Sequence, residues 1–475
     1  MFSSKIFLAG KWQETKDTLE VRAPFNGELV GTCGRASAVE IDAAITESER
    51  GFKVMKSLPS YQRAAICSRV AAALRSRKEE LAKTLAMEAG KPIKQARVEL
   101  ERAIFIWAVA GEEAKRIGGE VLPLDWMEIG TQRTGILRRF PIGPVAAITP
   151  FNFPLHLVSH KIAPALAAGN SVALKPASQT PLSALNLASV LAETEMPPAA
   201  LSILPCTAAV AEALVTDERT KLFTFTGSPA VGWALKAKAG KKKVTLELGG
   251  NAGVVVHNDA DLDFASTRIV TGGFLYAGQS CISVQRVFVQ KQVHDDFLER
   301  LLTKTKRLKV GDPLDESTDV GPMIHESEAA RVESWLCEAV DGGSTLLCGG
   351  GRSGTVLEPT ILLNTKPEMK VNCQEIFAPV VTVTPYDTFD EALQAINQSR
   401  YGLQAGLFTR DLHSVFHAYE ELEVGGVIAG DIPTWRVDHM PYGGVKDSGF
   451  GREGLRFAIE EMTEPKLLVL NLNVR

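Results

Sequence analysis

The sequence lacks the cysteine spacing on which a disulfide framework or a cysteine-rich zinc site depends. Its 475 residues include seven cysteines, an odd number, and no two of them form a C-x-x-C pair. Small secreted scaffolds and zinc ribbons both need such pairs. We therefore expect a protein of a reducing compartment, the cytoplasm, with no metal site.

Long apolar runs and an excess of one charge are also lacking. No run approaches the roughly 20 residues of a membrane span, and the apolar run in MFSSKIFLAGKWQ is too short for a signal peptide. The chain carries 52 basic and 56 acidic residues, which gives a net charge of −4. The sequence therefore predicts neither a membrane nor a nucleic acid as a partner.

What the sequence does have is a regular alternation of short apolar runs with helical stretches. The runs in its first half are VAAIT (145–149), SVALK (171–175), LSIL (201–204), KLFTF (221–225) and VTLEL (244–248). Helical periodicity covers residues 39–117, with a second helical run over 98–117. Such alternation is typical of a parallel sheet with crossover helices, which binds ligands at the carboxyl ends of its strands.

The alternation resumes after Gly250 and predicts a second α/β domain, as the length of the chain also suggests. Its runs are GVVVH (253–257), VQRVFV (284–289) and strands near 379–384 and 404–409, with a helix from about Asp261. The glycine-rich stretch 342–354 predicts a surface hairpin.

Two strand ends carry candidate anion-binding residues. Gly227 permits a tight turn, Ser228 suits a helix N-cap and Pro229 suits the first helical position, so a pyrophosphate could lie at this helix N-terminus. Lys175, at the end of SVALK, could contact a ribose or a phosphate. An ordinary turn and a solvated lysine are the alternatives.

Three other residues could carry covalent chemistry. Cys281, in the loop GQSC before a strand, is either a nucleophile or a packed small side chain. Glu247, inside an apolar strand, could be a general base whose pKa is raised by burial, or an edge glutamate facing solvent. Asn152 could donate a hydrogen bond to an oxyanion, or simply form the turn before Pro154.

Together these motifs resemble the NAD(P)-dependent aldehyde dehydrogenase superfamily. TPFNFP, LKPASQTP, FTFTGSPAVG, LELGGN, GQSC, QEIFAPV and MPYGGVKDSGFGREG occur in the order of that family and cover essentially the whole chain. The resemblance implies that Cys281 attacks the aldehyde, that Asn152 and the Cys281 N–H hold the oxyanion, and that a thioester follows hydride transfer. Glu247 would then activate the water that releases the acid.

The resemblance also implies a cofactor site. Its positions are Glu375 and Phe377 at the nicotinamide ribose, Lys175 and Ser178 at the adenosine ribose, and Gly227 and Ser228 at the pyrophosphate. Strict NAD users commonly have a glutamate where this chain has Ser178, and that glutamate would repel a 2′-phosphate. We therefore expect the enzyme to use NAD or NADP, with NADP accepted.

The fold implied is an α/β aldehyde dehydrogenase fold of three parts. They are a Rossmann-like parallel-sheet cofactor domain (1–120 and 141–250), an α/β catalytic domain (251–430) and a small β oligomerisation element (121–140 and 455–475). The apolar tail KLLVLNL would lie as a strand against another subunit. A homodimer or homotetramer is therefore expected.

The substrate is expected to be a small hydroxylated or anionic aldehyde. ISVQRV and DIPTWRVDHMPYGG are similar to the subgroup of lactaldehyde and non-phosphorylating glyceraldehyde-3-phosphate dehydrogenases. Arg102 matches an anion-binding arginine of the phosphate-using relatives, and Arg436 lies in a loop on the substrate side. A surface charge in that loop is the alternative for Arg436.

Three other functions compete with this one. A CoA-acylating semialdehyde dehydrogenase is disfavoured because relatives of that type commonly lack the base that Glu247 would provide. A cofactor-independent amidohydrolase that uses Cys, Glu and Lys is disfavoured by the dinucleotide features. A non-enzymatic nucleotide-binding protein would be expected to have lost Cys281, Glu247 or Asn152.

Overall fold

A computed structural model of the protein describes residues 4–472. Its α-helices are α1 (Ala38–Met55), α2 (Ser60–Ser76), α3 (Lys78–Ala89), α4 (Ile93–Ala114), α5 (His156–Ala168), α6 (Leu182–Ala192), α7 (Ala208–Thr216), α8 (Pro229–Lys238), α9 (Leu262–Phe274), α10 (His294–Thr305), α11 (Glu326–Asp341), α12 (Lys370–Cys373), α13 (Phe389–Asn397), α14 (Leu412–Glu421) and α15 (Leu455–Glu461).

The strands divide among three larger sheets and three short ribbons. They are β1 (Lys5–Leu8), β2 (Lys11–Glu14), β3 (Asp17–Arg22), β4 (Leu29–Arg35), β5 (Gly119–Pro123), β6 (Arg133–Pro141), β7 (Val145–Ile148), β8 (Val172–Lys175), β9 (Leu201–Ile203), β10 (Leu222–Thr226), β11 (Lys243–Glu247), β12 (Ala252–Val256), β13 (Val284–Gln290), β14 (Thr345–Cys348), β15 (Arg352–Ser353), β16 (Val356–Leu357), β17 (Thr360–Leu363), β18 (Val380–Tyr386), β19 (Tyr401–Gly402), β20 (Gln404–Phe408), β21 (Gly426–Ala429), β22 (Val445–Lys446), β23 (Gly449–Phe450) and β24 (Thr463–Asn471).

The first sheet has the order β2-β1-β9-β8-β7-β10-β11-β23. The five apolar runs of the sequence form its parallel centre, which confirms them as strands. Their residues are almost entirely buried because helices cover both faces. β23 returns from far along the chain and pairs antiparallel with β11, which sets Glu247 opposite Gly449.

The helical region before this sheet is confirmed as four helices, α1 to α4. A capping box of Ser37 and Glu40 begins α1. The predicted start of the last helical run at residue 98 is wrong, because α4 begins at Ile93, directly after Pro92. A proline there gives up no helical hydrogen bond, since the first N–H groups of a helix have no partner within it.

The second sheet has the order β14-β17-β18-β13-β12-β20-β21 and is parallel except at β14. The predicted runs at 253–257, 284–289, 379–384 and 404–409 are confirmed as four of its strands, and Asp261 caps α9. The prediction for 342–354 is wrong in part. Thr345–Cys348 joins the edge of this sheet beside β17, and the hairpin is formed instead by β15 and β16.

The third sheet has the order β24-β6-β5 and is antiparallel. Its longest pairing runs from Thr463 opposite Pro141 to Asn471 opposite Arg133. Residues 455–461 of the predicted oligomerisation element form α15, which packs on α4 and α5, and residues 473–475 lie outside the described residues. The division into three domains stays a prediction. Within residues 4–472, no helix is both long and apolar enough to cross a membrane.

Candidate active site

The candidate residues meet where the carboxyl edge of the first sheet faces the second sheet. Glu247 ends β11, Lys175 ends β8, and Asn152 follows β7. Cys281 comes from the other side, in the loop between α9 and β13. The two sides are in direct contact, because a Cβ at Gly250 would overlap the carbonyl oxygen of Cys281.

The loop that carries Cys281 has an unusual backbone. Tyr276 and Ala277 have φ values of 50° and 51°, and Gly278 has a φ of 68°. A Cβ at Gly278 would overlap the backbone of Ala378, so only glycine fits there. The Tyr276 hydroxyl donates to the Ala89 carbonyl at 2.8 Å. The surroundings therefore hold this strained turn in place.

Cys281 is half-buried as a residue, and its Sγ lies 3.1 Å from the Tyr442 hydroxyl. Burial raises the pKa of this thiol to about 12; the hydrogen bond from Tyr442 and the charge of Arg436 lower it, while Glu375 and Glu247 raise it. The thiolate, which is the reactive form, therefore has to be stabilised inside the site.

Glu247 is buried, with 3% of its surface exposed, and neither carboxylate oxygen has a hydrogen-bond partner among the described residues. Burial raises its pKa well above the usual value, and the nearby Glu453 carboxylate adds to this, whereas Arg436, Lys161 and Arg452 oppose it. The predicted direction of the shift is confirmed. Such a carboxyl can take a proton from water in the cleft.

Asn152 is buried, and one of its amide N–H groups donates to the Gln279 carbonyl at 2.9 Å. This bond ties the loop after β7 to the loop of Cys281. An asparagine amide has two N–H donors, so the second remains for an oxyanion.

A buried ion pair that sequence reasoning missed supports Asn152 from behind. Lys91 pairs with Glu99, and its Nζ donates to the Asn152 carbonyl at 2.8 Å. The Glu99 Oε1 accepts from the backbone N–H of Leu155 and of His156 at 3.0 and 3.1 Å.

The Lys91 ammonium also lies between two aromatic faces, 3.8 Å from the ring centre of Phe153 and 4.3 Å from that of Tyr276. No pattern in the sequence marks this pair, because its partners come from three separate segments.

The residues predicted for the nicotinamide end lie beside Cys281. Glu375 accepts from the Gly250 N–H at 2.9 Å, and burial raises its pKa to about 7. Phe377 has a φ of 55° and sets its ring edge-on to Phe151 at 6.0 Å. Both line a small pocket with Gly250 and Ser280. The Glu375 carboxylate can accept a hydrogen bond from a ribose hydroxyl, and the Phe377 side chain offers an apolar surface to a nicotinamide ring. These residues therefore fit a dinucleotide.

The adenosine and pyrophosphate end fits as well. Ser228 is the N-cap residue of α8 but makes no side-chain capping bond, so the first N–H groups of that helix remain free for an anion. Burial lowers the pKa of Lys175. Ser178 donates a long 3.4 Å hydrogen bond to the Cys206 carbonyl. Gly227 is tied to β11 through its N–H, which donates to the Glu247 carbonyl at 3.1 Å.

Arg102 and Arg436 line one cleft of about 390 Å³. Arg102 reaches from α4 to Asp438 with two hydrogen bonds of 2.6 and 3.1 Å. Arg436 is only 5% exposed, so the alternative of a surface charge is wrong. Its guanidinium lies 3.6 Å from the centre of the Tyr442 ring and 3.5 Å from Glu453.

Behind the arginines lies a buried group of His156, His160 and Asp438, whose ligand atoms lie within 4.8 Å of one another. Although burial alone would raise the pKa of Asp438, the two histidines and Arg102 hold it well below its usual range. Burial also lowers the pKa of both histidines. The two arginine charges disfavour a metal ion here, and Asp438 instead orients Arg102.

Comparison with known proteins agrees with this geometry. A family model described as "Aldehyde dehydrogenase family" matches residues 12–468. The chain is 45% identical over 468 residues to a 3-sulfolactaldehyde dehydrogenase of Priestia aryabhattai, covering 98% of each chain.

Among solved structures, aldehyde dehydrogenase 21 from Physcomitrella patens in complex with the reaction product succinate superposes with a TM-score of 0.98 at 45% identity, covering 100% of this chain and 99% of that one. The glyceraldehyde-3-phosphate dehydrogenase GapN from Methanocaldococcus jannaschii, complexed with NADP, superposes with a TM-score of 0.93 at 40% identity, covering 97% and 100%.

Proposed function

Because this chain belongs to the aldehyde dehydrogenase family, we propose that it oxidises a small anionic or hydroxylated aldehyde to its carboxylic acid with NAD or NADP. The proposed catalytic residues are Cys281, Glu247 and Asn152. The chain is an oxidoreductase that acts on the aldehyde group, and the non-enzymatic alternative is wrong. The observation that carries the proposal is that a thiol, a buried carboxyl without a partner among the described residues and an amide donor lie close together where the two sheets meet.

In the proposed mechanism the Cys281 thiol loses its proton to solvent water, and the resulting thiolate attacks the aldehyde carbon. The resulting oxyanion is held by the backbone N–H of Cys281 and the second N–H of Asn152. A bound NAD or NADP would supply the acceptor for the hydride that the substrate carbon loses, and that carbon would remain bonded to the Cys281 sulfur as a thioester. Glu247 then takes a proton from a water molecule, the water attacks the thioester, and the acid leaves as the thiol is regenerated.

The cofactor would be held at both ends by residues of this chain. Glu375 accepts from the nicotinamide ribose, and the N-terminus of α8 with Gly227 and Ser228 receives the pyrophosphate. Ser178 leaves room for a 2′-phosphate, and Lys175 supplies a charge for it. The NADP named with the GapN structure supports acceptance of NADP.

An anionic substrate fits the cleft of Arg102 and Arg436. Lys78 and Arg97 also line the cleft, but each is paired with glutamates, Lys78 with Glu101 and Arg97 with Glu79 and Glu316. Arg102 and Arg436 are therefore the cations on which the proposal rests. Sulfolactaldehyde carries a sulfonate, glyceraldehyde-3-phosphate a phosphate, and succinate a second carboxylate. The compounds named with these similar proteins thus have in common an anionic group away from the reacting carbon.

A substrate panel tests this proposal. Propanal, lactaldehyde and aldehydes ending in a carboxylate, sulfonate or phosphate are compared by the appearance of reduced nicotinamide, with and without CoA. Replacing Arg102 by Leu should raise KM for the anionic aldehydes by ~10- to 100-fold, since a hydrogen bond to a charged group contributes ~1.5–3 kcal/mol. Propanal should be unaffected.

The matched control is Arg75→Leu, which removes an exposed arginine from α2. It should leave KM unchanged both for propanal and for the anionic aldehydes. Equal losses for propanal and for the anionic aldehydes in Arg102→Leu would contradict an anion site at Arg102. A strict requirement for CoA would support the CoA-acylating alternative instead.

We also propose an oligomeric state and a cellular location for the enzyme. The third sheet and the segments next to its strands expose a set of apolar side chains, namely Val121, Trp126, Met127, Ile129, Leu467, Leu468, Val469, Leu470 and Leu472. Exposed apolar area of this kind is typical of a subunit interface, so we infer a homodimer or homotetramer formed through this sheet. The seven cysteines are free, which agrees with a cytoplasmic enzyme.

A further inference from the structure

The Tyr442 hydroxyl lies at the sulfur of Cys281, although no step of the proposed mechanism uses it. Its oxygen is 3.1 Å from Sγ, and the side chain is only 4% exposed. The backbone of Tyr442 is fixed by two hydrogen bonds with Glu453, one in each direction, of 3.1 and 2.7 Å. The hydroxyl is therefore held against the sulfur by a rigid backbone.

The ring of Tyr442 is fixed as well. The Arg436 guanidinium lies 3.6 Å from its centre, and Arg436 is in turn held by Glu453 at 3.5 Å and by a 3.2 Å contact with His160. A cation over the face of a phenol withdraws electron density from the ring, which makes its O–H a stronger donor. This arrangement favours the hydroxyl as donor to sulfur.

The charges around Cys281 make such a donor necessary. Glu247 faces the thiol from β11 and Glu375 from the segment after α12, and both oppose ionisation of the thiol. Arg436 and Tyr442, both from the loop between β21 and β22, favour it. A thiolate between two carboxylates in a buried site is costly unless a donor contacts it directly.

We propose that Tyr442 donates its hydroxyl hydrogen to the Cys281 thiolate, which stabilises the reactive form of the nucleophile and aims its sulfur, and that Arg436 strengthens this donor by stacking on the ring. A thiolate has no hydrogen to donate, so the hydroxyl is the donor whenever Cys281 is ionised. The inference rests on the proposed role of Cys281 as nucleophile.

The test is the alkylation of Cys281 by iodoacetamide in Tyr442→Phe, a change that removes only the hydroxyl. Loss of a hydrogen bond to a charged group should raise the thiol pKa by about one unit. The thiolate fraction then falls about tenfold. Since the remaining thiolate is more nucleophilic, alkylation should slow about threefold at each pH below that pKa. Peptide mass spectrometry follows Cys281 across a series of pH values.

Two further variants keep the test decisive. Tyr386→Phe removes another buried hydroxyl, which contacts His257 at 2.9 Å in the second sheet, and its alkylation profile should match that of the parent. Arg436→Met should slow alkylation in the same direction as Tyr442→Phe, but less. Because the Arg436 charge also lowers the thiol pKa directly, Arg436→Met is measured in the parent and in Tyr442→Phe, and a smaller effect in Tyr442→Phe isolates the part that acts through the hydroxyl. If circular dichroism shows that Tyr442→Phe does not fold, an unchanged profile in Arg436→Met still overturns the proposal.

Different results would contradict the role of Cys281 as nucleophile and the role of Tyr442 as hydrogen-bond donor. If the parent enzyme stays active after Cys281 is alkylated, the nucleophile has been assigned wrongly. If alkylation inactivates the parent but the Tyr442→Phe profile overlays that of the parent, only the role of Tyr442 is overturned. An unchanged profile in Arg436→Met likewise overturns the part assigned to the stacked cation.

Discussion

Glu247 combines burial with the lack of a fixed hydrogen-bond donor, and these two properties suit it to activating water. A carboxylate held by donors would be a weaker base, since hydrogen bonds to the charged form lower the pKa. Glu453 instead destabilises the charged form from nearby. The raised pKa of Glu247 thus goes together with a carboxyl group that has no hydrogen-bond partner among the described residues.

Replacing Glu247 by Gln should lower kcat by ~10²–10⁴-fold, which is the usual contribution of a positioned base. Acylation of Cys281 does not need this base, so a burst of reduced nicotinamide should appear before the slow steady state. Stopped-flow absorbance measures both phases. A steady-state rate equal to that of the parent at neutral pH would contradict the role.

The same variant should change the dependence of stability on pH. Because the folded-state pKa of Glu247 is raised, the stability linked to its protonated form is complete below the unfolded value near 4.5 and is lost as the pH rises through the folded value. Glutamine cannot ionise. The melting temperature of Glu247→Gln relative to the parent should therefore increase toward alkaline pH, and a constant difference would contradict this.

Ser178 should determine whether NADP is used. A glutamate there would place a negative charge close to a 2′-phosphate, at a cost of ~4 kcal/mol per charge pair at ~4 Å before screening. Ser178→Glu should therefore lower kcat/KM for NADP at least ~100-fold, equivalent to ~2.7 kcal/mol, and leave NAD nearly unchanged. Ser178→Ala is the control, with a much smaller expected loss. Equal losses with both cofactors would indicate a general disturbance.

At the residue scale, the sequence identifies candidate functional residues when they lie at strand ends or in family motifs. Cys281, Glu247 and Asn152 could be named because each belongs to a short local pattern. Tyr442 and Lys91 could not be assigned a role. Their contacts join segments far apart in the chain, and no local pattern records which side chain will lie across a cleft.

At the scale of elements, the junction between α3 and α4 supports the loop after β7. Lys91 lies at this junction, and its pairing with Glu99 ties α4 to the Asn152 loop. Both side chains are almost completely buried. Breaking such a pair leaves an uncompensated buried charge, at a cost of ~3–5 kcal/mol.

Lys91→Met should therefore lower the free energy of unfolding by ~3–5 kcal/mol, and Lys91→Met combined with Glu99→Gln should recover part of the loss, because glutamine can still accept from the N–H groups of Leu155 and His156. Denaturant titration measures both variants. In the folded single variant kcat should fall more than KM changes, since Asn152 loses its support. Additive losses in the double variant would contradict a coupled pair.

Elements were predictable where one apolar run makes one buried strand. The strands β7 to β13, β18 and β20 are such runs, and each was placed within about two residues. The parallel strands β17 and β21 were not predicted. β14 was not found, because edge strands need fewer apolar residues and the surrounding glycines indicate a turn. The start of α4 was missed because the polar residues Lys94, Gln95 and Arg97 interrupt the apolar residues at its beginning.

At the scale of the whole molecule, the third sheet is where we propose that a second subunit binds. Leu468, near the middle of β24, is 54% exposed, and its neighbours in the strand are exposed as well. Apolar area of this kind is stabilised only when another surface covers it.

Leu468→Asp should therefore shift the enzyme to smaller assemblies, since a charge at a buried contact is costly to desolvate. Sedimentation velocity measures the change. Val39→Asp is the matched control, because Val39 is an exposed apolar residue of α1 and should leave the assembly intact. A parent that sediments as a monomer, or equal behaviour of both variants, would contradict an interface at the third sheet.

The pairing of β23 with β11 has a consequence for the protein as it leaves the ribosome. β11 emerges early, but the strand that covers its edge and sets Gly449 beside Glu247 emerges far later. Until then the nascent chain presents a bare strand edge, of the sort that recruits other chains. The Glu247 carboxyl would meanwhile lack the neighbours from residues 436–453 that bury it in the complete fold. The proposed base would thus reach its buried position only after β12 to β22 have all been translated, and a ribosome stalled before Gly449 would hold a chain with the Cys281 loop but without the strand that pairs with β11 at Glu247.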